Sequence, residues 1–194
     1  MLNGRKLVLR PIELKDLEIL RQIKNDPEIS ALAAETINEV SQQMQQEWFE
    51  ASKLDRNTVR FACVKSNDDC CIGLTGLWEL NTAQGHSNVG LKFHSSLPRG
   101  EGYGTDAINV LTAYAFSRLG LHRLETKILE SNKASLTLFI EKCGWQIEGI
   151  QREKYFLAGK YHNLVLVSIL EQEYMKLPST REYLELLSGK IEKQ

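Results

Sequence analysis

Between Pro98 and Asp106 the chain reads Pro-Arg-Gly-Glu-Gly-Tyr-Gly-Thr-Asp, so three of its 13 glycines (Gly100, Gly102, Gly104) fall within five residues. Glycines let a loop bring its N–H groups close to an anion, and a helix starting just after the loop adds the positive end of its dipole. A phosphate or pyrophosphate suits such a loop. Gly102-Tyr103-Gly104-Thr105-Asp106-Ala107 also fits GxGxxA, the dinucleotide fingerprint, but its setting is wrong for that use. It follows an antiparallel meander, a single strand–helix–strand unit comes after it, and Glu125 lies inside a strand instead of at its end. NAD is therefore the second choice of ligand. A Walker loop is excluded, because Gly-Lys-Ser/Thr occurs nowhere.

Downstream, Asn132, Ser135 and Phe139 are spaced i, i+3, i+7 and so belong on one helix face. The cysteines at 63, 70, 71 and 143 form no CxxC pair, and adjacent Cys70 and Cys71 are poorly placed to clamp a metal. They read as free thiols in a reducing cytoplasm, with no metal site expected. The charge balance, 24 Lys+Arg against 25 Asp+Glu, argues against a generally basic nucleic-acid binder. No apolar run approaches the ~20 residues of a membrane span, and the first residues do not read as a signal peptide. From Asp26 to Ser52, however, six acidic residues (Asp26, Glu28, Glu35, Glu39, Glu47, Glu50) occur with no Lys or Arg.

These residues need elements to position them, and 194 residues with 42% hydrophobic content can bury one core. Lys6–Arg10 is a strand stopped by Pro11. Leu14, Leu17, Ile19, Leu20 and Ile23 then recur at helical spacing, and Asn25-Asp26-Pro27 ends that helix. A second helix is expected over Val40–Leu54, started by Ser41 or Asn38, with Met44, Trp48 and Ala51 on one face. Strands Val59–Lys65, Cys71–Leu80 and His86–His94, joined by short turns, form the meander. A helix closed by Gly120 follows the glycine loop. Then come the strand His122–Leu129, a helix Asn132–Cys143 capped by Gly144, and strands Gln146–Phe156 and Tyr161–Glu171. The expected fold class is α+β, a central mixed, mostly antiparallel sheet flanked by helices. It occupies residues 1–177, and 178–194 form a C-terminal helical tail with a helix at Thr180–Leu187.

Arg99-x-x-Gly102-x-Gly104 after a strand resembles the pyrophosphate loop of the GNAT superfamily of acetyl-CoA-dependent N-acetyltransferases. The wording is similar to the RimJ/RimL-type branch: Arg99 to Ala107 resembles its RGxGYGTEA, and Ala115 to Leu124 its AFxxLGLHRV. Asn132-x-x-Ser135, Glu141-Lys142-Cys143-Gly144-Trp145 and Glu148-Gly149 follow in the family's order, so the resemblance covers about Leu7 to Glu171. It implies acetyl-CoA as co-substrate, held by Arg99, Gly100, Glu101, Gly102, Tyr103, Gly104 and Thr105. It further implies that the amides of Phe93 and His94 hold the pantetheine arm and polarise the thioester carbonyl. The face bearing Asn132, Ser135 and Phe139 would look at the pantetheine and sulfur. Many family members carry a Tyr proton donor where this chain has Phe139, so Ser135 is expected to protonate the leaving thiolate. Glu79 is the first candidate for the base, with His94 and Glu101 next and His86 and His162 after them. At the hairpin, Asn163 stands where the family often has Asp, and Tyr161 and Arg152 are expected to shape the acceptor side.

The resemblance places the acceptor site against the first two helices, where the acidic run would attract a cationic amine. A protein N-terminal amine, a polyamine or similar small amine, and an amino sugar all stay open. Asn25-Asp26-Pro27-Glu28 resembles a stretch of small-molecule members, so the RimJ/RimL likeness does not imply a ribosomal substrate. The expected activity is acetyl transfer to a primary amine by direct attack in a ternary complex. The alternative is a CoA-binding sensor or scaffold without turnover. A homodimer is a further expectation.

Overall fold

The computed structural model describes residues 1–34, 39–67 and 69–189. Eight strands form one sheet in the order β1-β2-β3-β4-β5-β6-β8-β7. They are β1 (Leu2–Asn3), β2 (Leu7–Arg10), β3 (Val59–Lys65), β4 (Cys71–Asn81), β5 (His86–Phe93), β6 (Arg123–Leu129), β7 (Gln146–Leu157) and β8 (Lys160–Leu170). Every neighbouring pair is antiparallel except β5–β6, which is parallel. The expected mixed, mostly antiparallel α+β architecture is the one that forms.

The parallel pair is short. His86, Ser87 and Asn88 pair with Arg123, Leu124 and Glu125, and the two strands then run on without pairing to each other. The unpaired stretches, Val89–Phe93 and Thr126–Leu129, leave a splay in the middle of the sheet. The connection between them is α4 (Tyr103–Ser117), whose residues Asp106–Ala113, Ala115 and Phe116 are buried. Adjacent residues of β3 show which face each helix covers. The Phe61 ring meets Tyr114 of α4 edge-on at 5.6 Å, while the Arg60 guanidinium lies 5.7 Å from Trp48 of α3 (Gln42–Ser52). Successive strand side chains point to opposite faces, so α4 covers one face, and α3 with its neighbour α1 (Leu17–Asn25) covers the other.

Three local expectations change. Asn25-Asp26-Pro27 does end α1, but it also starts a further helix, α2 (Pro27–Leu32). Asp26 caps its first amides, and Pro27 occupies the first helical position, where a missing N–H costs nothing. In α3, Ser41 is the cap, and Asn38 lies outside the described residues. The face turned inward carries buried Gln45 with half-buried Trp48 and Phe49, whereas Met44 and Ala51 are exposed. Beyond β6, only Lys133–Leu136 is α-helical (α5), and Thr137–Lys142 winds as a π-helix. A π turn holds more residues than an α turn, so spacing that marks one face of an α-helix drifts off that face.

The C-terminal helix α7 (Thr180–Ser188) packs against the core. Its Tyr183, Leu186 and Leu187 are buried in the same core as α4, and the Arg118 guanidinium donates to the Leu187 carbonyl. Each buried leucine contributes about 2 kcal/mol by area removed from water. Between β8 and α7 lies the short helix α6 (Glu171–Tyr174), whose Tyr174 ring packs on Phe116 at 5.5 Å.

Candidate active site

The glycine loop and the first turn of α4 form one end of the site. Gly100 and Gly102 both have φ of +86°, a left-handed conformation that other residues reach only with strain. Nothing lies within 4 Å of where a Cβ on Gly100 would stand, so the loop surface is open there. Gly102 is the N-cap of α4 and has no side chain to satisfy the first amides. Asp106 N–H donates back to the Gly102 carbonyl, which leaves the N–H groups of Tyr103, Gly104 and Thr105 in the uncapped first turn, where an anion is favoured. Gly104 is closely packed, since a Cβ there would come within 3.2 Å of the Leu138 side chain.

Two residues that sequence reasoning passed over shape this end. Lys6 reaches from the start of β2, donates from Nζ to the Glu101 carbonyl at 2.6 Å, and lies 6.0 Å from the Tyr103 ring centre. It puts an ammonium on the loop that phosphates would occupy. Asp106 is buried beneath it and accepts from the N–H groups of Arg5, Lys6 and Leu7 at 2.8–3.0 Å and from the Tyr183 hydroxyl at 2.9 Å. Burial, together with the Asp106 charge, raises the Tyr183 pKa, so the phenol stays a donor. This carboxylate ties the β1–β2 turn, α7 and the first turn of α4 into one block. Its only sequence signal was an acidic residue at a helix start; Lys6, 95 residues from Glu101, had none.

The splay between β5 and β6 leads away from the loop. His94 N–H donates to the Ile72 carbonyl, so the His94 amide belongs to the β4 side. N–H directions alternate along a strand, and Phe93 and Leu91 therefore turn their amides toward the splay. This corrects one expectation: of the expected pair of amides, Phe93 can face an acyl carbonyl, whereas His94 is already bonded within the sheet. The His94 imidazole lies on the helix face of α1–α3. Its Nδ1 lies 2.7 Å from the Ser96 hydroxyl and 3.2 Å from the Ser96 nitrogen; donation from Nδ1–H to that hydroxyl is the tautomer that leaves a lone pair on Nε2.

At the β6 side, Asn132 caps α5, its Oδ1 accepting from Ser135 N–H at 3.1 Å, while its Nδ2 donates to the Leu32 carbonyl of α2 at 3.1 Å. Both ends of its amide are thus spent on positioning elements. Ser135 is half-buried, and its hydroxyl makes no hydrogen bond with any described residue. Phe139 does not share an open face with these two. It is buried in the core, edge-on to Trp145 at 4.8 Å, because the π-helical winding turns it inward.

Glu79 is also displaced from its expected role. It sits at φ +52° in an irregular stretch of β4 and accepts from Asn88 Nδ2 at 2.5 Å. Phe93 pairs with Gly73, so Glu79 lies six residues along the strand, roughly 20 Å away, toward the β4–β5 turn. His86 is at that same far end, paired with Arg123. Arg99 forms an ion pair with Glu28 of α2 at 2.7 Å. In the β7–β8 hairpin, Asn163 accepts from Glu153 N–H and donates to the Glu130 carboxylate, a donation that an Asp could not make while ionised. Tyr161 is exposed and stacks on Phe156 at 5.0 Å, Arg152 is exposed, and His162 Nε2 lies 3.3 Å from the Leu157 carbonyl.

The acidic run is mostly engaged. Asp26 caps α2, Glu28 meets Arg99, Glu47 accepts from Gln43, and Glu50 pairs with Lys53. Glu39 is exposed, and Glu35 lies outside the described residues. Cys63 and Cys143 are buried free thiols, and burial pushes Cys143 up to about 12. Among the described residues, no group of three or more His, Cys, Asp or Glu side chains could hold a metal, and no helix is long and apolar enough to cross a membrane.

A glycine loop on a helix start beside a splayed parallel strand pair offers an anion site next to an open cleft in the sheet. Residues 6–146 match the acetyltransferase (GNAT) domain family, and the chain belongs to that family. It is 28% identical over 175 residues to the uncharacterised N-acetyltransferase p20 of Bacillus licheniformis, covering 89% of this chain and 97% of the relative. It is 25% identical over 170 residues to spermidine N(1)-acetyltransferase of Vibrio cholerae, covering 88% and 96%. The crystal structure of the Vibrio cholerae spermidine N-acetyltransferase with CoA and spermine superposes with a TM-score of 0.81 at 25% identity, over 88% of this chain and 98% of that one. The activity is acetyl-CoA-dependent N-acetyl transfer.

Proposed function

We propose that the acceptor is a polyamine or a similar cationic small amine. The observation that carries this reading is the near full-length likeness to a spermidine N-acetyltransferase solved with CoA and spermine. The acidic α2–α3 region beside the splay supports it, because a polyamine is a flexible polycation and a carboxylate-bearing wall favours its approach. Acetyl-CoA supplies the thioester whose acetyl group moves to the amine. In the reading offered here, the loop Arg99–Gly102, the first amides of α4 (Tyr103, Gly104, Thr105) and the Lys6 ammonium hold the pyrophosphate. The Phe93 amide polarises the acyl carbonyl. His94 replaces Glu79 as the base: its imidazole projects from the residue next to Phe93, on the acceptor-side face, and Nε2 accepts the amine proton directly or through water. Ser135, whose hydroxyl bonds to no described residue, returns a proton to the thiolate.

The motif wording supports placement in the RimJ/RimL-type branch, and four free cysteines support a reducing, cytoplasmic setting. The outer strand β7, with Ile147 and Ile150 more than half exposed, supports a homodimer. The packing of α7 supports reading residues 178–189 as part of the transferase domain.

The test is thiol release from acetyl-CoA against spermidine, a peptide with a free N-terminus and glucosamine. Spermidine is expected to give a kcat/KM at least about tenfold above the other two; equal rates would overturn the polyamine assignment. Acetyl-CoA is expected to raise Tm, and Gly102→Asp, which puts a carboxylate on the anion loop, to abolish that rise. A retained rise in the variant would remove the loop from the binding site. A rise in Tm without thiol release toward any amine favours the sensor reading, for which Phe139 in place of Tyr is the motive.

A further inference from the structure

Helix α2 is pinned at both ends to the strands that form the splay. At its start, the Asp26 carboxylate lies beside the Ser95 side chain, two residues past β5, while capping Glu28 and Ile29 N–H. At its end, the Leu32 carbonyl takes one from Asn132 Nδ2, three residues past β6. Six helical residues rise about 9 Å. The helix therefore bridges the open ends of the only parallel pair among the described strands. From its first turn Glu28 reaches Arg99, the residue that opens the glycine loop, at 2.7 Å. Both side chains are well exposed, 65% and 69%, so water and ions reach the pair and it can exchange partners at little cost.

A guanidinium shared between one carboxylate and an incoming pyrophosphate favours the ligand with more charge and more acceptor oxygens. We propose that Glu28 and Arg99 couple the two substrate sites: bound acetyl-CoA draws Arg99 onto its pyrophosphate, and the Glu28 carboxylate so released becomes a ligand for the cationic acceptor. The acceptor half of this proposal rests on the polyamine reading. Because α2 is fixed at both ends, Glu28 stays at the edge of the splay once Arg99 leaves. The coupling is reciprocal, so a bound polycation holds Glu28 away from Arg99 and tightens CoA by the same factor.

The experiment measures CoA affinity by calorimetry at fixed ionic strength for the wild type and Glu28→Gln. It then measures spermidine affinity with and without saturating CoA for both proteins. Removing the competitor for Arg99 is expected to tighten CoA binding about threefold, the scale of an exposed ion pair. Wild-type protein is expected to bind spermidine about threefold tighter with CoA present, and Glu28→Gln to show no such gain. CoA affinity unchanged or weakened in Glu28→Gln overturns the exchange, and a gain that persists in the variant overturns the acceptor role of Glu28. If the wild type binds no spermidine in either state, the polyamine reading fails separately, and the CoA comparison alone still decides whether Glu28 competes for Arg99.

Discussion

The two ends of this molecule proposed to hold the cofactor and the acceptor are built from different kinds of contact. At the cofactor end, Asp106 gathers three backbone amides and a phenol in a buried site, and left-handed glycines shape the loop above it. At the acceptor end, one capped short helix spans the splay, and the nearby ion pairs Glu28–Arg99 and Glu50–Lys53 are exposed. A buried backbone-directed network cannot rearrange without leaving polar groups unpaired, whereas exposed pairs trade partners for a fraction of a kcal/mol. The rigid end suits a ligand part common to the whole family, the phosphates of CoA; the exchangeable end suits the part that varies, the acceptor.

The sharpest way to break this contrast is Asp106→Ala. It removes the partner of three amides and of the Tyr183 hydroxyl, of which the Leu7 amide and the hydroxyl are buried, at about 1–3 kcal/mol for each group that finds no new partner. A loss of about 4 kcal/mol in urea unfolding is expected, with a lowered acetyl-CoA affinity because the first turn of α4 loses its anchor. A loss below about 1 kcal/mol would mean that the cofactor end is no more rigid than the acceptor end.

The same contrast governs how much was legible in the sequence. Gly100, Gly102 and Gly104 announce themselves within five residues, since positive φ and close packing demand glycine locally. The antiparallel meander of β3, β4 and β5 was readable too, because short turns force it. Contacts across long sequence separations left no trace: Lys6 with Glu101, Glu28 with Arg99, Asn132 with Leu32. Phe139 was misplaced for a different reason. A spacing of i, i+3, i+7 presumes 3.6 residues per turn, and the winding at Thr137–Lys142 is wider. The proline that ended α1 also began α2, and a single local signal did not distinguish the two uses.

A middle-sized effect is expected at the α2 bridge. The Ser95 side chain, with the Glu28 and Ile29 amides, holds Asp26 below its usual 3.8. A carboxyl whose folded value is depressed stabilises the fold above its unfolded pKa, and that contribution fades as pH falls through the folded value. Asp26→Asn keeps a good capping side chain but removes the charge at the helix start, which for a solvent-screened site is worth about 0.5 kcal/mol. The variant is therefore expected to be slightly less stable than wild type at pH 7, with the difference fading as pH falls through that depressed value. Unfolding free energies that stay parallel across that range would show that the bridge does not depend on the Asp26 charge.

The smallest effect should come from Glu79→Gln. Its carboxylate is exposed, it accepts from Asn88, and roughly 20 Å of strand separates it from the Phe93 amide. A glutamine side-chain oxygen can still accept from Asn88, so stability is expected to change by less than about 0.5 kcal/mol. Turnover with spermidine and KM should both stay within about twofold, since a group that far away neither takes the amine proton nor faces the acyl carbonyl. A loss of general base catalysis would instead lower kcat about a hundredfold or more and flatten the acid limb of the pH profile. That outcome would return the proton acceptor to β4, remove His94 from the role, and show that the acceptor end reaches the far side of the sheet.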